Sequence, residues 1–384
     1  MPRAGRSEKA GNLSMKVLML LSNEYRPDPR VRKEAMTLHE MGHDVTVLCW
    51  NRSFRSLDHQ DDGGVMIERV RTGRVNGMLD LGANVPLFFA RAYLRSRRLE
   101  FDSVHCHDYD TLMLGAFISK LRSVPLVYDS HEWYSKMVED DLPGFICRLI
   151  ERSESLLLAN CHAVIAANDA IADHLKESGA HDVTVVMNCI DLPQDASRDA
   201  YEDKRSISLF YGGSLEPGRF VNEMLEAVES DSDCTIKIAG NGRLTEVVKQ
   251  AAAACDRVQF LGYIPQEQVL MNVSKCDAVI CMMEPSNGNN VIGTPNKLFE
   301  AMAYGVPAIV TEGTHSGDMV RCLDCGVAVE YSAKGMSSAI SSLKDPQARM
   351  RMGRKGRAAA EKDYNWQAMK ERMCAVYRSL PRLR

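Results

Sequence analysis

No apolar run in the 384-residue chain approaches the roughly 20 residues that a membrane-spanning helix needs, so no spanning segment is expected. The first 14 residues are polar and basic and lack the apolar centre of a signal peptide. They read as a disordered leader, with the fold starting at Met15. The formal net charge is only -4, which gives no global attraction to a polyanion, and no nucleic-acid partner is expected. No strand signal is followed by a complete G-x-G-x-x-G with a downstream acid, which argues against a dinucleotide oxidoreductase. One C-x-x-C occurs, Cys322-Leu-Asp-Cys325, and without a second pair it reads as structural. Short repeats and low-complexity tracts are missing as well.

What the chain does have is the composition of a soluble globular protein, 45% apolar and 26% charged. Its 12 cysteines sit mostly inside apolar runs, as at Cys49, Cys281 and Cys374. That is the pattern of reduced core thiols, and it predicts a reducing, cytoplasmic setting.

Strand and helix signals alternate almost from end to end. In the first half, strands are predicted at 16–21, 44–49, 65–70, 102–106, 125–129, 163–166 and 183–186, with helices between most of them. The stretch 191–205 is polar and charged and reads as a linker. The alternation then restarts, with strands predicted at 207–211, 235–239, 258–261, 278–282, 308–310 and 327–329. Strands separated by helices imply crossover connections and parallel sheets. The expected architecture is α/β: two Rossmann-like, doubly wound domains, at 15–190 and 206–365, facing a central cleft. The closing amphipathic helix, 366–384, is expected to pack back on the first of them.

Ligands of open parallel sheets bind beyond the carboxyl ends of the strands. Three second-half loops lie there. Tyr211-Gly-Gly-Ser-Leu-Glu-Pro-Gly-Arg219 joins a strand to a helix; Gly213 lets backbone approach a phosphate, and Arg219 offers a fork-shaped cation. Ala239-Gly-Asn-Gly-Arg243 repeats the arrangement with Gly240 and Gly242. The third loop, 289–295, enters a short helix for which Thr294 suits the N-cap and Pro295 the first turn. Glu300, one to two turns in, can accept both hydrogen bonds of a ribose diol.

The phrase PNKLFEAMAYGVPAIV resembles the signature helix of the family-4 retaining glycosyltransferases of GT-B fold, and YGGSLEPGRF, GNGRL and VQFLGYIPQEQVLMNVSKCDAVICM are similar to other parts of it. The closing YNWQAMKERMCAVYRSL is similar to the family's last helix, which crosses back to the first domain. The resemblance implies that Arg219 binds donor phosphate and Glu300 the ribose. It implies that Gly293 and Thr294 meet phosphate or sugar through their backbone, flanked by Asn296 and Lys297. Two positions depart from the pattern. The first glutamate of the family's Glu-x7-Glu is Ile292 here, and an arginine usual in the first loop is Ser214.

The first half offers two polar strand ends, His105-Cys-His-Asp-Tyr-Asp110 and Tyr128-Asp-Ser-His-Glu132. By residue type alone these suit a metal. The acids also begin a helix, where they can cap N–H groups, and the resemblance implies transfer without a metal or any other cofactor. It marks His131 as the catalytic-face histidine lining the donor sugar. His107, Asp108, Asp129 and Glu132 are acceptor-side candidates, the last two also able to orient His131. Arg30 and Arg32 suit either the cleft or solvent. The basic, aromatic stretch 87–99 suits an amphipathic helix on an anionic membrane, but the favoured reading is a helix packed on the sheet with a solvated basic face.

The implied activity is transfer of a sugar from a nucleoside diphosphate to a glycan or lipid-linked acceptor. A nucleotide-sugar epimerase of the same fold, or a silent nucleotide-sugar-binding subunit, are the rivals. Ile292 and Ser214 favour the second of these.

Overall fold

The computed structural model describes residues 14–26, 28–73, 78–194 and 206–381. The leader up to residue 13 and most of the 191–205 stretch lie outside them. Fourteen strands are described: β1 Lys16–Leu21, β2 Asp44–Asn51, β3 His59–Asp62, β4 Val65–Arg71, β5 Ser103–His107, β6 Leu126–Ser130, β7 Ala163–Ala166, β8 Val183–Val185, β9 Ile207–Gly212, β10 Cys234–Ala239, β11 Val258–Gly262, β12 Ala278–Ile280, β13 Ala308–Thr311 and β14 Gly326–Val329.

They form two sheets. The first has eight strands in the order β3-β4-β2-β1-β5-β6-β7-β8, and the second six in the order β11-β10-β9-β12-β13-β14. Every pairing is parallel except β3 with β4. This is the expected α/β, doubly wound architecture. Strands such as Val17–Leu21 are apolar on both faces because helices cover both. The strand missed from sequence is β3, whose residues His59-Gln-Asp-Asp62 carry no apolar signal. It is an edge strand held by register against β4, and edge strands do not need a buried face.

Helix packing brings the strand ends to the cleft. Gly115, in the helix Tyr109–Arg122, shows how closely this helix lies on β5: a Cβ there would sit 1.9 Å from Cys106 Sγ. The helix predicted at 87–99 is Met78–Ser96, running through Pro86. The last helix, Trp366–Ser379, lies on the first sheet. Its Met369, Met373 and Tyr377 join the core that includes Val17, Met19 and Val31. Tyr377 meets His105 Nδ1 at 2.7 Å, and Arg372 donates to the Val185 carbonyl at 3.2 Å. Among the described residues, no helix is long and apolar enough to cross a membrane.

Candidate active site in the interdomain cleft

Two adjoining cavities occupy the cleft. The larger, about 1120 Å³, is lined by Gly212, Gly213, Gly240, Lys33, Lys297 and Glu300, among others. The smaller, about 430 Å³, is lined by His131, Glu132, Asn168, Arg219, Gly293 and Thr294, among others. Asp28, Pro29, Asn188 and Asn296 border both.

In the larger cavity two glycine loops interlock. Gly213 N–H donates to the Ala239 carbonyl at 3.0 Å. A Cβ at Gly240, where φ is 143°, would fall 1.8 Å from the Gly213 oxygen. Only glycine permits this approach, so the loop backbones themselves form the cavity floor. Gly242 is not among the lining residues of either cavity; its N–H donates to Thr245 Oγ1 at 3.0 Å and shapes the loop. Glu300 is buried on the helix Asn296–Ala303, and Gln266 Nε2 donates to its Oε1 at 2.7 Å. Burial raises its carboxyl pKa, against the opposing pull of Gln266, Lys297 and Lys33. Lys297 Nζ lies 3.8 Å from the centre of the Tyr211 ring, beside Gly213. Such a contact holds a cation in place without neutralising it.

The cap of this helix differs from expectation. Pro295 takes the N-cap position and gives no side-chain cap. Thr294 instead faces the other domain, its Oγ1 accepting from Asn168 Nδ2 at 3.4 Å. The N–H groups of the first turn therefore have no side-chain cap.

In the smaller cavity Arg219 reaches across to Met283, Nη1 to Sδ at 3.1 Å. His131 sits at the end of β6 and is the best-anchored group of the site. Its Nε2 lies 3.0 Å from Asp129 Oδ2, its Nδ1 3.3 Å from Asp108 Oδ2, and its backbone N–H donates to Asp108 Oδ1 at 2.8 Å. Burial disfavours the charged ring, yet Asp108 and Asp129 outweigh it and raise the pKa to about 10. His131 is therefore an imidazolium at neutral pH.

Asp108 does not cap the helix that follows it. Its φ of 61° swings the carboxylate away from the helix N–H groups and onto His131. A non-glycine residue in this region carries strain, which the two bonds to His131 offset. Asp110 likewise bonds Ser22 Oγ.

His107 and Asp129 are fully buried, so they lie beneath the site and not on an acceptor surface. Beneath His131, Asp129 Oδ1 pairs with Arg30 Nη2 at 2.8 Å, and Arg30 Nε lies 3.1 Å from Glu34 Oε1. Arg30 is buried and faces the smaller cavity; Arg32 is half-exposed, borders the larger cavity and pairs with Asp62 at 2.8 Å. Burial works against the Asp129 carboxylate, but Arg30 and His131 overcome it and hold its pKa well below the usual range. Burial, with Asp129 next to it, drives Glu34 up despite Arg30. Burial, reinforced by His105, lowers His107 to about 3, so its ring is neutral.

Ligand atoms of Glu34, His105, His107 and Asp129 lie within 4.8 Å of one another, a grouping a metal could use. Arg30 already pairs with one of the two acids, Asp129, and lies beside the other, Glu34.

Glu132 turns away from His131 and accepts from Asn289 Nδ2 at 2.6 Å, across the domain gap. Asn168 donates to the Ile292 carbonyl at 2.8 Å, and Gly288 N–H to Glu139 at 3.0 Å. The Ile292 side chain packs against the apolar core of the first domain. Ser214, the other departure, uses its carbonyl to accept from Tyr211 Oη at 2.7 Å. Cys322 is exposed, Cys325 buried, and both are free thiols.

Arg30, Glu34, Lys33 and Asn168 were not singled out firmly from sequence. A signal existed for Glu34: it falls in the apolar stripe of Val31, Ala35 and Leu38, where an acid demands a partner.

Two open, mainly parallel sheets with glycine loops at their strand ends, and a buried acid, Glu300, and a fixed histidine, His131, facing one cleft, define the GT-B fold. Family models agree: Glycosyltransferase Family 4 matches residues 30–194, and Glycosyl transferases group 1 matches residues 209–345. The chain belongs to the family-4 type of glycosyltransferases. It is 24% identical over 401 residues to glycogen synthase of Mycobacterium tuberculosis, covering 94% of each chain. It is 29% identical over 167 residues to a GDP-mannose-dependent monoacylated alpha-(1-6)-phosphatidylinositol monomannoside mannosyltransferase of Corynebacterium glutamicum, covering 42% of this chain and 43% of that one. Among solved structures, sucrose-phosphate synthase from Thermosynechococcus elongatus superposes with a TM-score of 0.76 at 17% identity, covering 94% and 98% of the two chains. HepE from Anabaena in complex with UDP superposes with a TM-score of 0.70 at 17% identity, covering 95% and 100%.

Proposed function

We propose that the enzyme transfers a sugar, with retention and without a metal, from a nucleoside-diphosphate sugar to a glycan or lipid-linked acceptor. One observation carries this reading: the Glu300–Gly240 cavity and the His131–Arg219 cavity adjoin at Asn296. The first suits a nucleoside with its diphosphate, the second the sugar. In this reading Glu300 accepts from the ribose hydroxyls, and the backbones of Gly213 and Gly293–Thr294 approach the phosphates. Arg219, Lys297 and the uncapped helix start at Asn296 stabilise the departing diphosphate.

The bond from C1 to the diphosphate oxygen breaks as the acceptor oxygen bonds C1 on the same face. The acceptor proton passes to the leaving phosphate oxygen. The two acids bordering the smaller cavity are engaged elsewhere, Asp28 capping a helix through Val31 N–H and Glu132 holding Asn289. That supports a route without a carboxylate nucleophile. The His131 ring, held by Asp108 and Asp129, lines the sugar side. Arg30, in place between Asp129 and Glu34, supports a metal-free site.

HepE is solved with UDP and with UDP-glucose, which supports a nucleotide-sugar donor. The Corynebacterium relative is named for a phosphatidylinositol mannoside acceptor, which supports the lipid-linked class. Named relatives are synthases and transferases, so neither the epimerase nor the silent subunit is favoured.

The test is a thermal-shift screen of UDP-, GDP- and ADP-sugars, followed by nucleotide release from the stabilising donor. Glu300→Ala and Arg219→Ala should each cut transfer by roughly tenfold or more, the loss expected when a hydrogen bond to a charged group goes. Excess EDTA should leave the rate unchanged. Wild-type rates in both variants would reject the site, and loss of activity in EDTA would reject the metal-free route.

A further inference from the structure

Four helices cover one side of the first sheet, and three of them, Met78–Ser96, Tyr109–Arg122 and Gly144–Leu158, form one continuous outer face. They pack side by side, Tyr93 against Phe117 with ring centres 5.3 Å apart, and Tyr109 against Ser153. Their outer faces carry large apolar side chains. Met113, Phe117 and Leu121 recur every four residues on the middle helix and are 50%, 52% and 54% exposed. Phe145, Leu149 and Leu156 on the third are 63%, 61% and 75% exposed, and Leu94 on the first is 56% exposed. A stripe of this kind on a monomer's surface marks an interaction site, not a core.

The exposed charges on these three helices are of one sign; exposed acids lie beyond them, Asp173 and Glu177 on the neighbouring helix Asp169–Glu177 and Glu100, bound by Lys16, after the first. Lys120, Arg148 and Arg152 are exposed between the apolar residues, with Arg97 and Arg98 just past the first helix. Among the described residues of the three helices no carboxylate is exposed: Asp80, Asp110 and Glu151 are half-buried and Glu154 is buried. Asp110 and Glu151 are hydrogen-bonded inward, to Ser22 and Ser135. The 87–99 segment alone does not make this face. Its Arg95 pairs with Glu68 at 2.7 Å and Arg91 bonds the Arg71 carbonyl, so part of its charge is committed to the sheet edge.

We infer that this three-helix face docks the enzyme on an anionic lipid bilayer. Apolar side chains flanked by unpaired cations are the chemistry that an interfacial surface requires, and a protein partner would have to be acidic and apolar at once. The face also meets the cleft. The middle helix begins directly after His107–Asp108, and the third follows Glu139 and Asp140, which bond Gly288 and Asn287 of the second domain. An acceptor held in the bilayer would thus arrive beside His131.

The inference deepens the lipid-linked acceptor reading. Vesicle binding is measured without turnover, so either can fail while the other stands. Full-length protein is floated with vesicles of phosphatidylcholine alone and with vesicles containing about one-third phosphatidylglycerol. Binding to the anionic vesicles should be about tenfold tighter or better, and should weaken in high salt. Phe117→Ser with Leu149→Ser, and separately Arg148→Glu with Arg152→Glu, should each lower it about tenfold while donor-induced thermal shifts are unchanged. Equal, weak binding to both vesicle types would overturn the inference. So would a concentration-dependent dimer in sedimentation velocity that the Phe117/Leu149 pair abolishes, since a second copy would then cover the face.

Discussion

Asn168 of the first domain donates its amide to the carbonyl of Ile292 in the second, at 2.8 Å. The same side chain caps the helix Asp169–Glu177 by accepting from Ile171 N–H at 2.9 Å. One buried residue therefore both ends a loop and ties the two halves of the cleft.

These two roles separate by substitution. Asn168→Asp keeps the cap acceptor and loses the donor to Ile292. Its Tm should stay near wild type, while kcat/KM falls roughly tenfold because closure loses a buried bond. Asn168→Ala should lose the cap too, costing about 1 kcal/mol of stability. An Asp variant with full activity would show that this tie does not govern closure.

His131 should remain protonated well above neutral pH. Because its folded pKa, about 10, exceeds that of a free imidazole, its pairing stabilises the fold fully below the unfolded pKa near 6.5. The contribution is lost as pH rises from there through about 10. Nitrogen NMR of the ring, assigned with His131→Gln, should show an imidazolium at pH 8. In Asp108→Asn the ring should titrate at lower pH, with activity falling at alkaline pH earlier than in wild type. A neutral ring at pH 8 in the wild-type protein would refute the pairing.

Glu300 carries the opposite sign. Its folded pKa is raised, first by burial, so its burial opposes folding while it is ionised and ceases to do so as it protonates. Donor affinity should fall as pH drops through that raised pKa, because a protonated carboxyl accepts fewer hydrogen bonds from a ribose. Glu300→Gln should weaken donor binding by about tenfold and flatten this acid limb, measured by calorimetry. An unchanged acid limb in the variant would assign it to another group.

Gly240→Ala should be among the most damaging single-methyl changes in the chain. The added Cβ would lie 1.8 Å from the Gly213 oxygen, so one of the two loops must move. The expected cost is about 1–3 kcal/mol in stability, with loss of donor-induced thermal shift. Gly179→Ala, also at positive φ but with nothing within 4 Å of its Cβ, is the control for backbone strain alone.

Local sequence determined much of this protein. Apolar runs such as Val17–Leu21, glycine punctuation and the PNKLFEAMAYGVP phrase are contained in neighbouring residues, and they specify parallel sheets, strand-end loops and the family. β3 was not legible because an edge strand has no obligatory apolar period. Only the tertiary structure decided the charges. Glu34, His107 and Asp129 look alike in sequence as polar groups near strand ends or on a helix, yet burial shifts them differently: with Asp129 it raises Glu34, with His105 it lowers His107, and at Asp129 it is overcome by Arg30 and His131. The carboxylate of Asp108 could cap a helix or hold His131, and a φ of 61° settles it. The reason is physical: strand and helix periods are local, whereas desolvation and ion pairing depend on which residues the folded chain brings together from far apart.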